Sequence, residues 1–255
     1  MIVFHTDLDS TMIFSYKHDI GADKRNVEIY QGREISFVTE KTYELMKKVK
    51  EKVLFVPTTT RTVEQYERID LGIGTPQYAL TCNGGVLLVD GMEDEAWYQE
   101  SKRLVAYAVE EMQKAMEWLL QDERTTFEVR FIKELFVFTK CDNQDDVVAE
   151  LRELLDTSLV DVFNTGIKVF VVPKKLSKGS ALARFRDRVE SEYIIAAGDT
   201  EFDISMFEEA EIAIAPKRLA DVFSLPEKTA VMPEDRVYSE EVLEYVLTQI
   251  EGCIN

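Results

Sequence analysis

The feature that most constrains the fold of this chain is a recurring unit. A short, wholly apolar run stops on a polar residue and gives way to an amphipathic helical stretch. Ile2-Val3-Phe4 runs into Thr6-Asp7, and Val53-Leu54-Phe55-Val56 stops at Pro57 and three threonines. Tyr78-Ala79-Leu80 ends at Asn83-Gly84-Gly85, Ile194-Ile195-Ala196-Ala197 at Gly198-Asp199, and Ile212-Ala213-Ile214-Ala215 at Pro216. Thr39 is placed to cap a helix carrying Tyr43, Leu45, Met46 and Val49. Strands that are apolar on both faces must be covered on both, which predicts an α/β fold with a doubly wound parallel sheet. Ligands of such sheets bind beyond the carboxyl ends of the strands. That rule would gather Asp7, Asp9, Thr59, Asp199 and Asp203 in one crevice.

The middle of the chain follows a different pattern. A helix is expected over 101–121, with Val105, Ala108, Val109, Met112, Met116 and Leu119 on one face. Strands are expected at Thr126–Val129 and Leu135–Lys140. A second helix carries Val147, Val148, Leu151, Leu154 and Leu155, and strands at Val160–Phe163 and Lys168–Val172 follow. This helix-strand-strand repeat predicts an inserted α+β unit on one face of its own antiparallel sheet. The expected division is a core of 1–87 and 171–255 with an insert of 88–170. Between Ser15 and Val38, alternation around Gln31-Gly32 suggests either a hairpin flap close to Asp7 or a surface excursion.

Charge narrows the function. The 30 Lys and Arg stand against 48 Asp and Glu, a net charge of −18. That excess argues against nucleic acid, whose phosphates are met by clustered Lys and Arg, and against an anionic membrane surface. No apolar stretch approaches the length that spans a bilayer. Three cysteines, Cys82, Cys141 and Cys253, without short-range pairing, read as reduced thiols in a cytoplasm. With only His5 and His18 present, a multi-histidine zinc site is poorly supported. His5 reads as a packed strand residue.

The sharpest signal is Phe4-His5-Thr6-Asp7-Leu8-Asp9-Ser10-Thr11, an apolar strand that runs directly into Asp-x-Asp-x-Thr. Two carboxylates so placed are either solvated or held by a cation, and a hard divalent ion with oxygen ligands suits them. An Asp can also attack phosphorus to form an aspartyl phosphate. Three further segments follow in order. They are Val56-Pro57-Thr58-Thr59-Thr60-Arg61, Leu176-Ser177-Lys178-Gly179, and Ala197-Gly198-Asp199-Thr200-Glu201-Phe202-Asp203. Lys178 opens a helix, where a cation opposes the helix dipole, which favours a functional reading over a structural one. Asp203 could instead cap its own helix.

Together with Thr81-Cys82-Asn83-Gly84-Gly85, these motifs resemble the haloacid dehalogenase superfamily of aspartate-nucleophile phosphatases. The resemblance is closest to the subgroup with Cof-type and sucrose-phosphatase-like enzymes, and it covers nearly the whole chain. It implies a magnesium-dependent phosphatase acting on a small phosphorylated metabolite, a sugar phosphate, through an aspartyl-phosphate intermediate. Asp7 would be the nucleophile and Asp9 the general acid and base. Mg2+ would be held by Asp7, the backbone carbonyl of Asp9 and Asp199, with Asp203 acting through water or by orienting the other ligands. Thr59, Thr60 and Lys178 would meet the phosphoryl group, and Arg61 and Asn83 would bind substrate. The insert would act as a lid whose polar residues, such as Glu128, Arg130 and Lys133, read the leaving group. The chain departs from the family at Ser10 and Thr60, where Gly is common, and at Phe202, where Asn is usual. A phosphomutase, a phospho-ligand-binding protein on a degenerate version of the fold and a phosphoacceptor signalling domain are the rival readings.

Overall fold

The computed structural model describes residues 1–254, and the side chains of Cys253 and Ile254 lie outside what it describes. β1 (Ile2–Thr6) is buried from Val3 onward. After β2 (Phe14–Ser15), the strands β3 (Lys24–Tyr30) and β4 (Arg33–Thr39) form a hairpin. Its two-residue turn places Gln31 at φ 51° and Gly32 at φ 75°, the left-handed pair that matches strand twist. Of the two readings of this segment, the hairpin is the one observed. α1 (Glu40–Lys50) starts where the Thr39 side chain accepts a hydrogen bond from the Thr42 amide. β5 (Leu54–Pro57) and the single turn α2 (Val63–Tyr66) follow, then β6 (Tyr78–Thr81), β7 (Val86–Val89) and β8 (Met92–Glu93).

The next segment holds α3 (Glu95–Val105), a 3-10 turn at Ala106–Ala108 and α4 (Val109–Leu119). It continues with β9 (Arg130–Ile132), β10 (Phe136–Lys140), α5 (Gln144–Leu154), β11 (Val160–Thr165) and β12 (Lys168–Pro173). The chain ends with α6 (Lys178–Val189), β13 (Tyr193–Ala197), α7 (Glu201–Glu209), β14 (Ile212–Pro216), α8 (Lys217–Ala220), β15 (Thr229–Met232) and α9 (Tyr238–Ile254).

Two compact units emerge, Met1–Asp94 with Ser177–Asn255, and Glu95–Leu176. The sequence-based division at 88 and 170 falls short of both boundaries. β7 and β8 pair with β6 and so belong with the first unit, whereas β12 completes the sheet of the second.

In the first unit, five strands run in the order β15-β14-β13-β1-β5, and every neighbouring pair is parallel. From β1 the chain moves to β5 on one side and later returns to β13, β14 and β15 on the other, so the strand order reverses at β1, which Asp7 follows. Such a switch point opens a crevice at the carboxyl ends of the strands. Phe4, Ile195 and Ile214 from the sheet pack with Leu45 and Met46 of α1 and Val242 and Val246 of α9 in one core. Tyr78-Ala79-Leu80 does not join this sheet as a strand. β6 heads a separate antiparallel sheet, and a parallel bridge pairs its Leu80 with Thr58, the residue after β5. β15 has no counterpart in the sequence reading.

In the second unit, four antiparallel strands run β11-β12-β10-β9. Val137, Val162, Val169 and Val171 face Met112 and Leu119 of α4 and Val147 and Leu151 of α5. Two expectations need correction. The helix expected over 101–121 is interrupted at Val105 (φ −96°, ψ −5°) and Ala108 (φ −111°, ψ 5°). Between them Tyr107 donates its hydroxyl to the Leu159 carbonyl and accepts from the Lys175 amide. The strand expected at Thr126–Val129 lies instead at Arg130–Ile132. A tight turn with Lys133 and Glu134 at positive φ sets the pairing, so the ladder forms beside the turn.

Candidate active site

The first unit brings the acidic motifs together. One carboxylate oxygen each from Asp7, Asp199 and Asp203 lies within 4.8 Å of the others. Asp7 follows β1, and its amide donates to the Ala197 carbonyl of β13 at 2.8 Å. Asp199 follows β13, and Asp203 lies in the first turn of α7. Lys178 enters from the start of α6, which Ser177 and Ser180 close with a reciprocal capping box. Its ammonium donates to Asp7 Oδ1 and to Asp203 Oδ1, both at 2.6 Å. With Lys178 1% exposed and Asp203 fully buried, this is a buried ion-pair triad.

Two glycines make the approach possible. A Cβ on Gly198 would lie 2.2 Å from Asp203 Cγ, and one on Gly179 would lie 2.2 Å from the Ser205 carbonyl oxygen. Glycine therefore lets the Asp199 loop fold over Asp203, and lets α6 begin against α7. The pairings Gly198-Asp199 and Lys178-Gly179 in the sequence thus have a steric reason.

Asp203 does two things. Its Oδ2 accepts from the Asp199 amide at 3.0 Å, and from the Thr200 amide and hydroxyl, both at 2.9 Å. With Oδ1 on Lys178, both oxygens are engaged, so Asp203 caps α7 and orients its neighbours. Asp199 is held by the Thr11 hydroxyl at 3.2 Å and by Arg218 Nη2 at 2.9 Å. Arg218 and Thr11 are not among the site residues expected from the sequence. Thr11 carries the one available signal, as the Thr of Asp-x-Asp-x-Thr.

Electrostatics follow from burial. Burial pushes the Asp7 carboxyl well above the ordinary carboxylate range; Lys178 pulls it down, while Asp203, Asp199 and Asp9 push it further up. Asp199 is pushed up to about 6 by burial and by Asp203, against Arg218 and Thr11. Burial would lower the Lys178 ammonium, but Asp203 and Asp7 hold it above its usual value. A buried group of carboxylates with surplus negative charge and only oxygen donors fits a hard divalent cation such as Mg2+.

Asp9 stands apart from the acidic cluster. Its half-exposed carboxylate takes both oxygens to Arg61, from Nε and Nη2, at 2.7 Å each. Ser10 next to it has φ 62°, which accounts for the Gly common there in the family and costs a β-carbon-bearing residue about 1 kcal/mol. Thr60 is not left-handed, so its departure from Gly carries no such strain.

Of the threonines after β5, Thr58 is turned into the core. Its hydroxyl bonds His5 Nδ1 at 2.9 Å and the Val56 carbonyl at 3.3 Å. Thr59 Oγ1 accepts from the Arg61 amide at 3.1 Å. Asn83 is buried with φ 58°, and its amide donates to the Thr59 carbonyl. Phe202 lies on α7 beside Asp203. His5 is fully buried in β1. In the second unit, Arg130 pairs with Glu128 and lies over the Phe127 ring, and Lys133 lies over Tyr98.

The family model for haloacid dehalogenase-like hydrolases matches residues 87–218, just over half of the chain. The chain belongs to that family and is a hydrolytic enzyme. Solved structures share its fold across nearly its full length. Sucrose-phosphatase from Synechocystis sp. PCC6803, in complex with sucrose and phosphate, is 16% identical with a TM-score of 0.67, covering 98% of each chain. A trehalose-6-phosphate phosphatase related protein is 16% identical with a TM-score of 0.57, over 98% of this chain and 99% of that one. A phosphatase of the same superfamily from Bacteroides thetaiotaomicron is 15% identical with a TM-score of 0.57, over 96% and 95%. No curated protein matches the chain. Among the described residues no helix is long and apolar enough to cross a membrane.

Proposed function

We propose that this enzyme is a magnesium-dependent phosphatase acting on a small phosphorylated metabolite, a sugar phosphate. The observation that carries the reading is the triad at the switch point. A buried Asp7 carboxylate lies 2.6 Å from a buried lysine, with Asp199 and Asp203 alongside. Asp7 attacks phosphorus, and the phosphorus–ester oxygen bond breaks with its electron pair passing to the leaving oxygen. Asp9 gives that oxygen a proton. A water, deprotonated by Asp9, then attacks the aspartyl phosphate, releasing orthophosphate and restoring the Asp7 carboxylate. Lys178 offsets charge on Asp7 and the phosphoryl oxygens, and Thr59 donates its hydroxyl to one of them. Mg2+, held by Asp7, Asp199 and the Asp9 carbonyl and oriented through Asp203, would supply charge neutralisation on the phosphoryl group. The sugar class draws support from the sucrose-phosphatase and the trehalose-6-phosphate phosphatase related protein that share the fold. The second unit, Glu95–Leu176, is the cap that reads the leaving group.

The purified protein is expected to release orthophosphate from 4-nitrophenyl phosphate with Mg2+ and to stop in EDTA. A screen of phosphorylated metabolites should then single out sugar phosphates. Failure to release orthophosphate from any phosphomonoester contradicts the reading, and an isomerised sugar phosphate makes the enzyme a mutase.

A further inference from the structure

Glu28 is an acid that the mechanism above does not use, yet its side chain is fully buried. It lies on β3 at a break in the hairpin ladder, where the register against β4 shifts on both sides of it. In an unbroken strand Val27 and Glu28 would face opposite sides; here both are buried. Bulges re-aim side chains in this way, often beside active sites. The irregularity is built in, because the Asn26 side chain donates to the carbonyls of Glu28 and Ser36, both at 3.0 Å.

Both Glu28 oxygens are used. Oε1 takes Arg61 Nη1 at 2.9 Å and Arg68 Nε at 3.2 Å, and Oε2 takes the Ser36 hydroxyl at 2.7 Å. Arg61 is thereby gripped from two sides. Nη1 faces Glu28 and the Gln65 carbonyl, leaving Nε and Nη2 as a fork on the two oxygens of Asp9. A planar guanidinium fixed along one edge fixes whatever carboxylate lies on the other. Asp9 has little else to hold it, since its carboxylate is half exposed and lies outside the acidic cluster.

We propose that Glu28 is a positioning residue, which through Arg61 sets where the Asp9 carboxyl stands against the leaving group. The proposal rests on the phosphatase reading, in which Asp9 protonates the leaving oxygen. Removal of Glu28 leaves Arg61 mobile and Asp9 unaimed, and in the transfer to Asp7 it harms only esters whose leaving group needs a proton.

The test compares phenyl phosphate, a poor leaving group, with 2,4-dinitrophenyl phosphate, which needs no acid. The wild-type protein and Glu28→Ala are compared with Mg2+ by kcat/KM, which reports transfer to Asp7. The expected loss is about tenfold or more on phenyl phosphate and less than about threefold on the dinitrophenyl ester. Glu28→Ala combined with Asp9→Asn should fall no lower on phenyl phosphate than Asp9→Asn alone. Equal losses on both esters, or no loss, overturn the positioning role. If Glu28→Ala does not fold, Glu28→Gln, which keeps the shape and removes the charge, is held to the same comparison. A wild-type protein inert on both esters overturns the phosphatase reading, and the inference with it.

Discussion

At Asp7, the nucleophile of the proposed mechanism, burial makes the carboxylate costly to keep. Its affinity for a proton is raised on folding, so the folded state is favoured with Asp7 protonated and loses stability as pH rises past its unfolded value. Asp7→Asn should therefore abolish turnover while making the EDTA-treated protein more stable by about 1 kcal/mol near neutral pH. Urea unfolding that finds the variant less stable contradicts the charge balance described here. His5 behaves in the opposite sense. Burial, with Arg186 adding to it, holds its imidazole at about 3 instead of 6.5. Between those values the unfolded chain binds a proton that the folded chain does not. Its contribution is complete above pH 6.5 and drains as pH falls, at up to about 1.4 kcal/mol per pH unit. His5→Leu loses the bond to Thr58 and should be less stable near neutrality, yet fall less steeply toward about pH 4. Parallel stability curves for the two proteins would contradict the buried, neutral His5. Asp7, Lys178 and Asp199 were legible because charge at a strand end or a helix start has few structural uses. Glu28 and Arg218 were not, because nothing in their neighbours distinguishes them from the many solvated charges of this chain.

The elements explain why. The run Val27-Glu28-Ile29 reads as alternation, and only the bulge turns Glu28 inward. A bulge inserts a residue without a local signature that the sequence displays. Apolar runs ending on polar residues predicted four strands of the parallel sheet, β1, β5, β13 and β14, and the same pattern misassigned β6. An apolar strand reads alike whether its partner is parallel or antiparallel. Likewise the apolar stripe over 101–121 carries no mark of the 3-10 turn, which the contacts of Tyr107 with distant carbonyl and amide groups accompany. Where two helices meet, one glycine decides. The Gly179 position against Ser205 predicts that Gly179→Ala forces α6 away from α7, at about 1–3 kcal/mol, and draws Lys178 off Asp7. Thermal unfolding and turnover should both fall, and a variant with unchanged stability contradicts the close approach.

Over the whole molecule, the net charge of −18 resolves into two populations. Most carboxylates are solvated or in surface pairs such as Arg236 with Glu244 and Lys217 with Asp221, which contribute little to stability. A few converge at the switch point, where Lys178 and Arg218 offset only part of their charge. On the proposed reading, the acidic surface disfavours long polyanions while the crevice takes one small phosphate together with a cation. In the proposed mechanism Asp7 carries the phosphoryl group in transit. The most direct measurement is to quench turnover of an aryl phosphate in acid, reduce with borohydride and read residue 7 by mass spectrometry. Homoserine is expected at position 7 in the wild-type protein with Mg2+, and none in Asp7→Asn or in EDTA. Orthophosphate release in the wild-type protein with no modification at residue 7, or with modification at another residue, would contradict it.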